Sequence, residues 1–562
     1  MSNKKEKIIR ALVGSVMACA MVVGVTNVAD MKSAAASNVK TEFSTEITAT
    51  NHAHGQQVNI LPYDLMLWDQ SEEFDASYLN GLYEYSDLHS DFLAAVNTGD
   101  NDRLVNIYHE ADAFQPENNV LKWQSSLENV ASYTVRVAYD QKFTECVLKV
   151  EDADMATGVV LENPLVGTNY YWQVIATMED GDKVYSQIFD FATEDSLRTV
   201  EIEGISNTRD LGGYETAYGY VKQGLVYRSA RLESATEDGL ETLKNELGVK
   251  TDLDLRGMQE ATTGSNKPNP AELDNYYVYV TPQYALAGDL GLDSAGHWEN
   301  VGKIMKVFAD KDNYPIDIHC AVGRDRTGTI TALFKAVLGY SENDIINDYF
   351  VSMFATTGAW SKETTYTNSA MIMSVVSYLN SFEGETLADR AAAYLMTNCG
   401  VTQDEIDAMR DIMTGKVEVD VPVYNTFADE DNYNDCAFVT FEKYGEAKVV
   451  SVVRVGETVE APFEAGEGYE WIANGEAFDF ALGVSGDITI QALEIKGCEV
   501  KILSTGAITS EETVTVQEGG AFDFALLEKS GYDFIVLSSE GKVLTELTVN
   551  GATTINVIYT KK

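Results

Sequence analysis

Polar and apolar positions alternate along much of the chain, and the period changes from one stretch to the next. Tyr133, Val135 and Val137 take turns with Thr134 and Arg136, the two-residue period of a half-buried strand. Val120, Leu121 and Trp123 open an earlier strand, residues 170–176 form another, and Phe189, Phe191 and Thr193 close a last one. Short strands separated by turns predict a β-sandwich over residues 113–196. From 197 to 416 the pattern mixes periods. Strands at 249–255 and Ile316-Asp317-Ile318-His319 alternate with helical stretches at 238–247, 328–338 and 342–353, which predicts an α/β domain with a partly parallel sheet. The tail repeats itself: Gly468-Tyr469-Glu470-Trp471 returns as Gly531-Tyr532-Asp533-Phe534, and the strand patterns 488–493 and 554–559 end the two units. Two small β modules are expected, at 420–496 and 497–562. Residues 37–112 hold apolar runs such as Val58-Asn59-Ile60-Leu61 and a helical stretch near 78–96, and define no fold.

The start of the chain reads differently. Lys4, Lys5, Lys7 and Arg10 precede an apolar run from Ala11 to about Val28, and Ala34-Ala35-Ala36 offers a small-residue cleavage site before Ser37. That order predicts a signal peptide over 1–36 and a secreted protein, with an uncleaved anchor or a lipid-bearing Cys19 as the alternatives. No second apolar stretch is long enough to span a bilayer.

A chain of 562 residues exceeds what one core organises, so several domains are expected. Its 88 acidic and 40 basic side chains give a net charge of −48. Loss of 1–36 removes five basic and two acidic groups and takes that to −51. Such a surface repels nucleic acid and anionic lipid headgroups, so any phosphate-bearing partner must meet a local basic pocket. Cys146, Cys320, Cys399, Cys436 and Cys498 remain after the leader, too sparse for a disulfide scaffold and odd in number. Cys436 and Cys498 occupy equivalent places in the tandem units, which sets them beyond disulfide reach.

The chemistry concentrates in His319-Cys320-Ala321-Val322-Gly323-Arg324-Asp325-Arg326-Thr327-Gly328, between a strand and the apolar helical run Thr329-Ile330-Thr331-Ala332-Leu333-Phe334. A loop this short can turn its N–H groups inward to cradle a tetrahedral oxyanion at the positive end of the helix dipole. Cys320 lies at the bottom, where those donors favour its thiolate. Arg326 can hold two oxygens with its planar fork and stabilise charge on the equatorial oxygens. Thr327 can offer its hydroxyl to the sulfur. Gly323 permits a positive φ, Gly328 lets the helix start close to the strand, and His319 orders the loop by hydrogen bonding. Ala321, Val322, Gly323 and Arg324 supply the substrate-facing rim. No cofactor is expected, and no cluster of metal-ligating side chains is visible.

His-Cys-x5-Arg-Thr resembles the signature of the protein tyrosine phosphatase superfamily. Asn207-Thr208-Arg209-Asp210-Leu211-Gly212-Gly213-Tyr214, Tyr227-Arg228-Ser229-Ala230-Arg231-Leu232 and Asp254-Leu255-Arg256-Gly257 resemble its bacterial branch of secreted tyrosine and phosphoinositide phosphatases. The likeness covers about 200–415. Where that branch usually carries Lys in the loop, this chain has Arg324, which exchanges a compact ammonium for a planar fork. The resemblance implies hydrolysis of phosphate monoesters through a phosphocysteine, with Asp325 as general acid. Asp289 or Asp293 in the Gly-rich stretch 287–293 is the alternative. It also implies that Arg209 and Asp210 sit at a turn near the substrate, with Asp254 and Arg256 supporting, unless these four form a buried ion-pair network. Residues 283–300 read as a lid or as plain surface loop.

The sandwich pattern, with Trp123 and Leu165…Tyr171-Trp172-x-Val174-x-Ala176, resembles a fibronectin type III domain, and the tail loosely resembles the β repeats of bacterial surface proteins, including internalin-type repeats. The expected substrate is a phosphorylated protein or a phosphoinositide. The β modules offer a site for a cell-surface partner, and an adhesion or scaffold protein with an idle phosphatase domain is the rival reading. The sequence leaves the oligomeric state open.

Overall fold

The protein is described from a computed structural model, which places residues 41–59, 119–195, 197–284, 289, 291–352, 372–419, 427–446, 448–466, 468–494, 497–517 and 521–562. The leader 1–36, the helical stretch near 78–96 and residues 287, 288 and 290 of the Gly-rich stretch 287–293 lie outside the described residues.

The first β domain is built on one large sheet. Val130–Ala138 and Asn169–Met178 are its antiparallel centre, flanked by Glu145–Val150 and Phe189–Thr193. Trp172, Tyr170, Val135, Val137 and Phe191 fill its core. The domain starts earlier than the sequence pattern places it. Gln56–Val58 pairs parallel with Phe189–Thr193, and Ile47–Ala49 pairs with Trp123–Ser125, so residues expected to have no fold of their own close this domain. Polar segments with only two or three apolar positions carry no period to read.

Residues from about 197 form a five-stranded sheet: β1 (Arg209–Asp210), β2 (Val226–Ser229), β3 (Thr251–Asp254), β4 (Asn275–Val278) and β5 (Ile316–His319), in the order β1-β2-β5-β3-β4. All neighbours are parallel except β1 and β2. Strand β3 is shorter than the expected 249–255. One face sends Val226, Leu253, Ile316 and Ile318 into a large core with helices α3 (Ala295–Ala309), α4 (Asp325–Val337), α5 (Glu342–Val351), α6 (Leu387–Tyr394) and α7 (Gln403–Met413). The other face carries Tyr227 against Leu232, Leu243 and Leu247 of the segment around α1 (Glu237–Glu241). The remaining helix is α2 (Met258–Ala261). Both faces are therefore covered, as parallel sheets require.

The two domains are joined by a buried fork. Arg198 donates to Asp210 at 2.8 Å and to the carbonyls of Asn163 at 2.7 Å and Pro164 at 3.2 Å. In the tail, Cys436–Glu442, Val449–Arg454, Tyr469–Ala473 and Ile488–Glu494 make one module, and Gly497–Gly506, Ser510–Gln517, Tyr532–Ser538 and Thr553–Lys561 make the next. Each pairs its first strand with its second antiparallel and its last parallel. The first module also packs Tyr433 and Phe438 with Phe143, Ile175 and Tyr185 of the first β domain, and Phe427 pairs with Cys146. All five described cysteines are free. No helix of the described residues is long and apolar enough to cross a membrane.

Candidate active site

Strand β5 ends at His319 and α4 begins at Asp325, so the intervening loop hangs between a strand end and a helix start. Such ends of open parallel sheets gather functional groups. Cys320 lies there, 2% exposed. Burial alone would raise its thiol pKa. The Arg326 charge, the Thr327 side chain and the main-chain amides of Thr327 and Val322 overcome that and hold it below the ordinary value. Arg326 thus stands next to the sulfur. Its fork is bound by Glu260 on α2, with Nη1 donating to Oε2 at 2.7 Å and Nη2 to Oε1 at 3.0 Å. Glu260 is missing from the sequence reading because α2 is one turn long and lies far upstream.

Gly323 adopts φ +69°, and a Cβ there would fall 2.3 Å from the Ser229 carbonyl oxygen. Its own carbonyl accepts from Arg228 Nη2 at 2.6 Å and from Asn207 Nδ2 at 3.0 Å. Gly328 is required for a different reason than the sequence implies. A Cβ there meets the Tyr349 ring at 2.6 Å, so it lets α4 pack on α5 rather than on the strand.

His319 is fully buried. Its Nε2 is 2.9 Å from Asp252 Oδ1 and its Nδ1 is 3.0 Å from the Cys320 carbonyl oxygen. Both neighbours only accept, so both ring nitrogens donate and the ring is an imidazolium. Burial would lower its pKa, but Asp252 outweighs that and lifts it to about 10.

Asp325 is gripped by three groups. Arg324 donates from Nε at 2.7 Å and from Nη2 at 3.3 Å, and the hydroxyls of Tyr284 and Tyr349 donate to Oδ1 at 2.5 and 3.3 Å. Asp289 and Asp293 are both exposed, and neither bonds to the loop among the described residues.

The other site residues are interior. Arg209 donates through Nε to Asp348 Oδ1 at 2.7 Å and through Nη1 to Asn207 Oδ1 at 2.6 Å. Arg228 reaches Asp348 Oδ2 at 2.5 Å. Asp348, which burial would raise, is pulled far below the carboxylate range by Arg209, Arg228 and Lys335. Asp210 faces away from the loop and is tied to Arg198 and to the amides of Gly212 and Gly224. Both Arg209 and Asp210 are 0% exposed, with their charged groups held by the partners just named. The turn that places them in the sequence is real, but their charges are consumed inside it. Asp254 and Arg256 form a pair at 2.8 Å, and Arg256 reaches Glu233 at 2.5 Å. Asp348 carried a signal that the reading passed over, being a polar residue three after Ile345 on the buried side of an amphipathic helix.

A thiolate under main-chain amides, beside a guanidinium, on an α/β sheet is the equipment of a cysteine-dependent phosphatase domain. Residues 200–415 match the profile described as the tyrosine phosphatase family. A candidate tyrosine-protein phosphatase of Cupriavidus necator is 28% identical over 172 residues, covering 26% of this chain and 60% of that protein. A candidate tyrosine-protein phosphatase of Yarrowia lipolytica is 25% identical over 83 residues, covering 14% of this chain and 33% of that protein. The chain thus spans less than two thirds of the length of these relatives. Among solved structures, the core catalytic domain of the PP-IP phosphatase Siw14 from S. cerevisiae in complex with citrate aligns at 16% identity and TM-score 0.19, covering 30% of this chain and 92% of that one.

Proposed function

We propose that the protein is a secreted cysteine-dependent phosphatase that hydrolyses phosphate monoesters, phosphotyrosine in protein above all. The observation that carries this is the buried Cys320, its pKa held down by Arg326, Thr327 and the loop amides. The Cys320 thiolate attacks phosphorus in line. The P–O bond to the leaving group breaks as Asp325 gives that oxygen its proton, and a phosphocysteine remains. Water then attacks the phosphorus, returns a proton to Asp325 and expels the thiolate, releasing phosphate. Arg326 takes two equatorial oxygens in both steps, and Thr327 stabilises the departing sulfur.

The basic, apolar and small-residue order of 1–36 supports secretion. The first β domain is read as a fibronectin III-like spacer and the tail as a surface-binding pair. A phosphoinositide or inositol polyphosphate substrate is the second reading, favoured by Arg324 next to Arg326, although Asp325 engages the Arg324 fork at rest. Initial rates on p-nitrophenyl phosphate, a phosphotyrosine peptide, a phosphoinositide and inositol hexakisphosphate decide between them. Wild type must turn over the first two faster than Cys320→Ser, and equal rates from both proteins refute the mechanism. An idle domain predicts no turnover of any of the four.

A further inference from the structure

Beneath the nucleophile the sheet buries charge. Residues two apart on a strand share a face, so Asp317 and His319 of β5 face the same way as Asp252 and Asp254 of β3 and Ser229 of β2. Asp252 is the register partner of Asp317, and His319 that of both Ser229 and Asp254. All five are 0% exposed. Asp254 is matched by Arg256, which Glu233 also holds, and the Tyr276 hydroxyl lies 3.4 Å from Asp254 Oδ2. His319 spends both N–H groups on Asp252 and the Cys320 carbonyl. Over this face lie Tyr227, Leu232, Leu243 and Leu247, while Glu241 and Lys244 of the covering segment are exposed.

Asp317 is left without a cation of its own. Its Oδ2, like Asp252 Oδ2, has no hydrogen-bond partner among the described residues. Its Oδ1 is 2.8 Å from Ser229 Oγ, and Ser229 Oγ is also 2.8 Å from the Ala230 carbonyl oxygen. One hydroxyl proton serves one of these acceptors well. With a proton on Asp317, both contacts become hydrogen bonds: Asp317 O–H donates to Ser229 Oγ, and Ser229 O–H donates to Ala230. The next residue, Arg231, gives its N–H to the Ala321 carbonyl in the loop at 3.3 Å, and the Ser229 carbonyl is the wall against which Gly323 rests.

We propose that Asp317 is a positioning residue for Cys320: it holds a proton at rest, which fixes the 229–231 segment against the loop and keeps a further negative charge, beside Asp252 and Asp254, from beneath the thiolate. This deepens the reading of Cys320 as nucleophile and rests on it. Burial pushes the Asp317 carboxyl up to about 7, Asp252 adding to the rise while His319 and Ser229 oppose it. Raising the pH through that value removes the proton. Ser229 then turns its hydroxyl to the new carboxylate and releases Ala230, and the added anion disfavours the Cys320 thiolate.

Two measurements on the full chain test this. Infrared spectra of wild type at about pH 6 should show a protonated carboxyl band, since ordinary carboxylates are ionised there. The band should fade with a midpoint near 7 and be missing in Asp317→Asn. Alkylation of Cys320 by iodoacetamide, followed by mass spectrometry of its peptide, reports the thiolate. The wild-type titration should be stretched over the range in which Asp317 loses its proton, and Asp317→Asn should titrate as one site displaced to lower pH. A wild-type spectrum without the band, or superimposable alkylation curves, overturns the proposal. Should Asp317→Asn fail to fold, the wild-type band stands alone as the test, and Ser229→Ala must shift it. Full activity of Cys320→Ser would instead sink the nucleophile reading while leaving the infrared result intact.

Discussion

Replacing Gly323 with alanine puts the loop geometry to a quantitative test. The residue sits at φ +69°, a left-handed conformation that costs a side-chain-bearing residue about 1–2 kcal/mol. The added Cβ would also lie 2.3 Å from the Ser229 carbonyl oxygen, 2.6 Å from its carbon and 2.8 Å from the Ala230 nitrogen. These are main-chain atoms at the end of β2 and cannot rotate away. Overpacking of this kind costs about 1–3 kcal/mol. Together the destabilisation should be about 2–5 kcal/mol, readable as a lower urea midpoint at constant slope. Activity should fall further than stability accounts for. The loop can relieve the overlap only by shifting, which loosens the carbonyl of Gly323 from Arg228 and Asn207 and moves the amides that face phosphate. A displacement of about 1 Å in such a site costs roughly a hundredfold. The check is kcat/KM on p-nitrophenyl phosphate at a temperature where the variant is fully folded. Wild-type kcat/KM in folded Gly323→Ala would refute the argument that Ser229 and Gly323 fix the cradle.

Arg326→Lys replaces a planar fork by a point charge, and kcat should drop about 10²–10³-fold with the fold intact, as steady-state kinetics and circular dichroism would report. Asp348→Asn leaves Arg209, Arg228 and Lys335 buried without their common counter-charge, and should cost about 3–5 kcal/mol in urea denaturation. Asp252→Asn removes the partner that lifts His319 to about 10, so burial should then hold the ring at or below its ordinary 6.5, which an NMR titration of the His319 ring would report. The sign of the linked stability follows from the same shift. His319 is raised above its ordinary 6.5, so its contribution is full below about 6.5 and is lost as pH rises through about 10, and Asp252→Asn should flatten that dependence of the unfolding midpoint. Arg198→Met empties the buried fork between the first β domain and the phosphatase domain, and should lower the unfolding temperature while kcat/KM stays within about twofold.

The nucleophile loop was legible because its chemistry needs neighbours in sequence. A cradle is made by consecutive amides, so Cys320, Gly323, Arg326 and Thr327 must follow one another at fixed spacing. Strand β5 and helix α4 were legible for a related reason, since an apolar run with a single period leaves little choice. What the loop leans on was not. Asn207, Arg228, Glu260, Tyr284 and Asp348 come from separate elements and meet only through the register of β1, β2 and β5 and the packing of α4 on α5. Arg209 and Asp210 show the limit most clearly. They are adjacent in the chain and were assigned one role, yet β1 points them in opposite directions, Arg209 to the loop support and Asp210 to the domain junction. The strands Ile47–Ala49 and Gln56–Val58 were hidden because three-residue strands gain their stability from the partner sheet and have no pattern of their own.

The charge arrangement around Cys320 resolves an apparent conflict with the rest of the chain. A net charge of −48 would keep a phosphate dianion away and would raise the pKa of any thiol exposed to that field. The site answers by range rather than by total charge. Exposed carboxylates act through water and are screened within about 10 Å at ordinary ionic strength. Arg326, Thr327 and the loop amides act at close range and under cover, where the same charge counts for several times more. Most of the buried cations close by are already spent on carboxylates: Arg209 and Arg228 on Asp348, Arg256 on Asp254, Arg324 on Asp325. Their work is to hold the loop still. Arg326 differs, because its partner Glu260 is 41% exposed and sits on a single turn of helix, where the pair is worth little and can be exchanged. An incoming phosphate therefore competes with one loosely held carboxylate rather than with the acidic surface, and raising the salt concentration should change its affinity far less than the net charge of the protein implies.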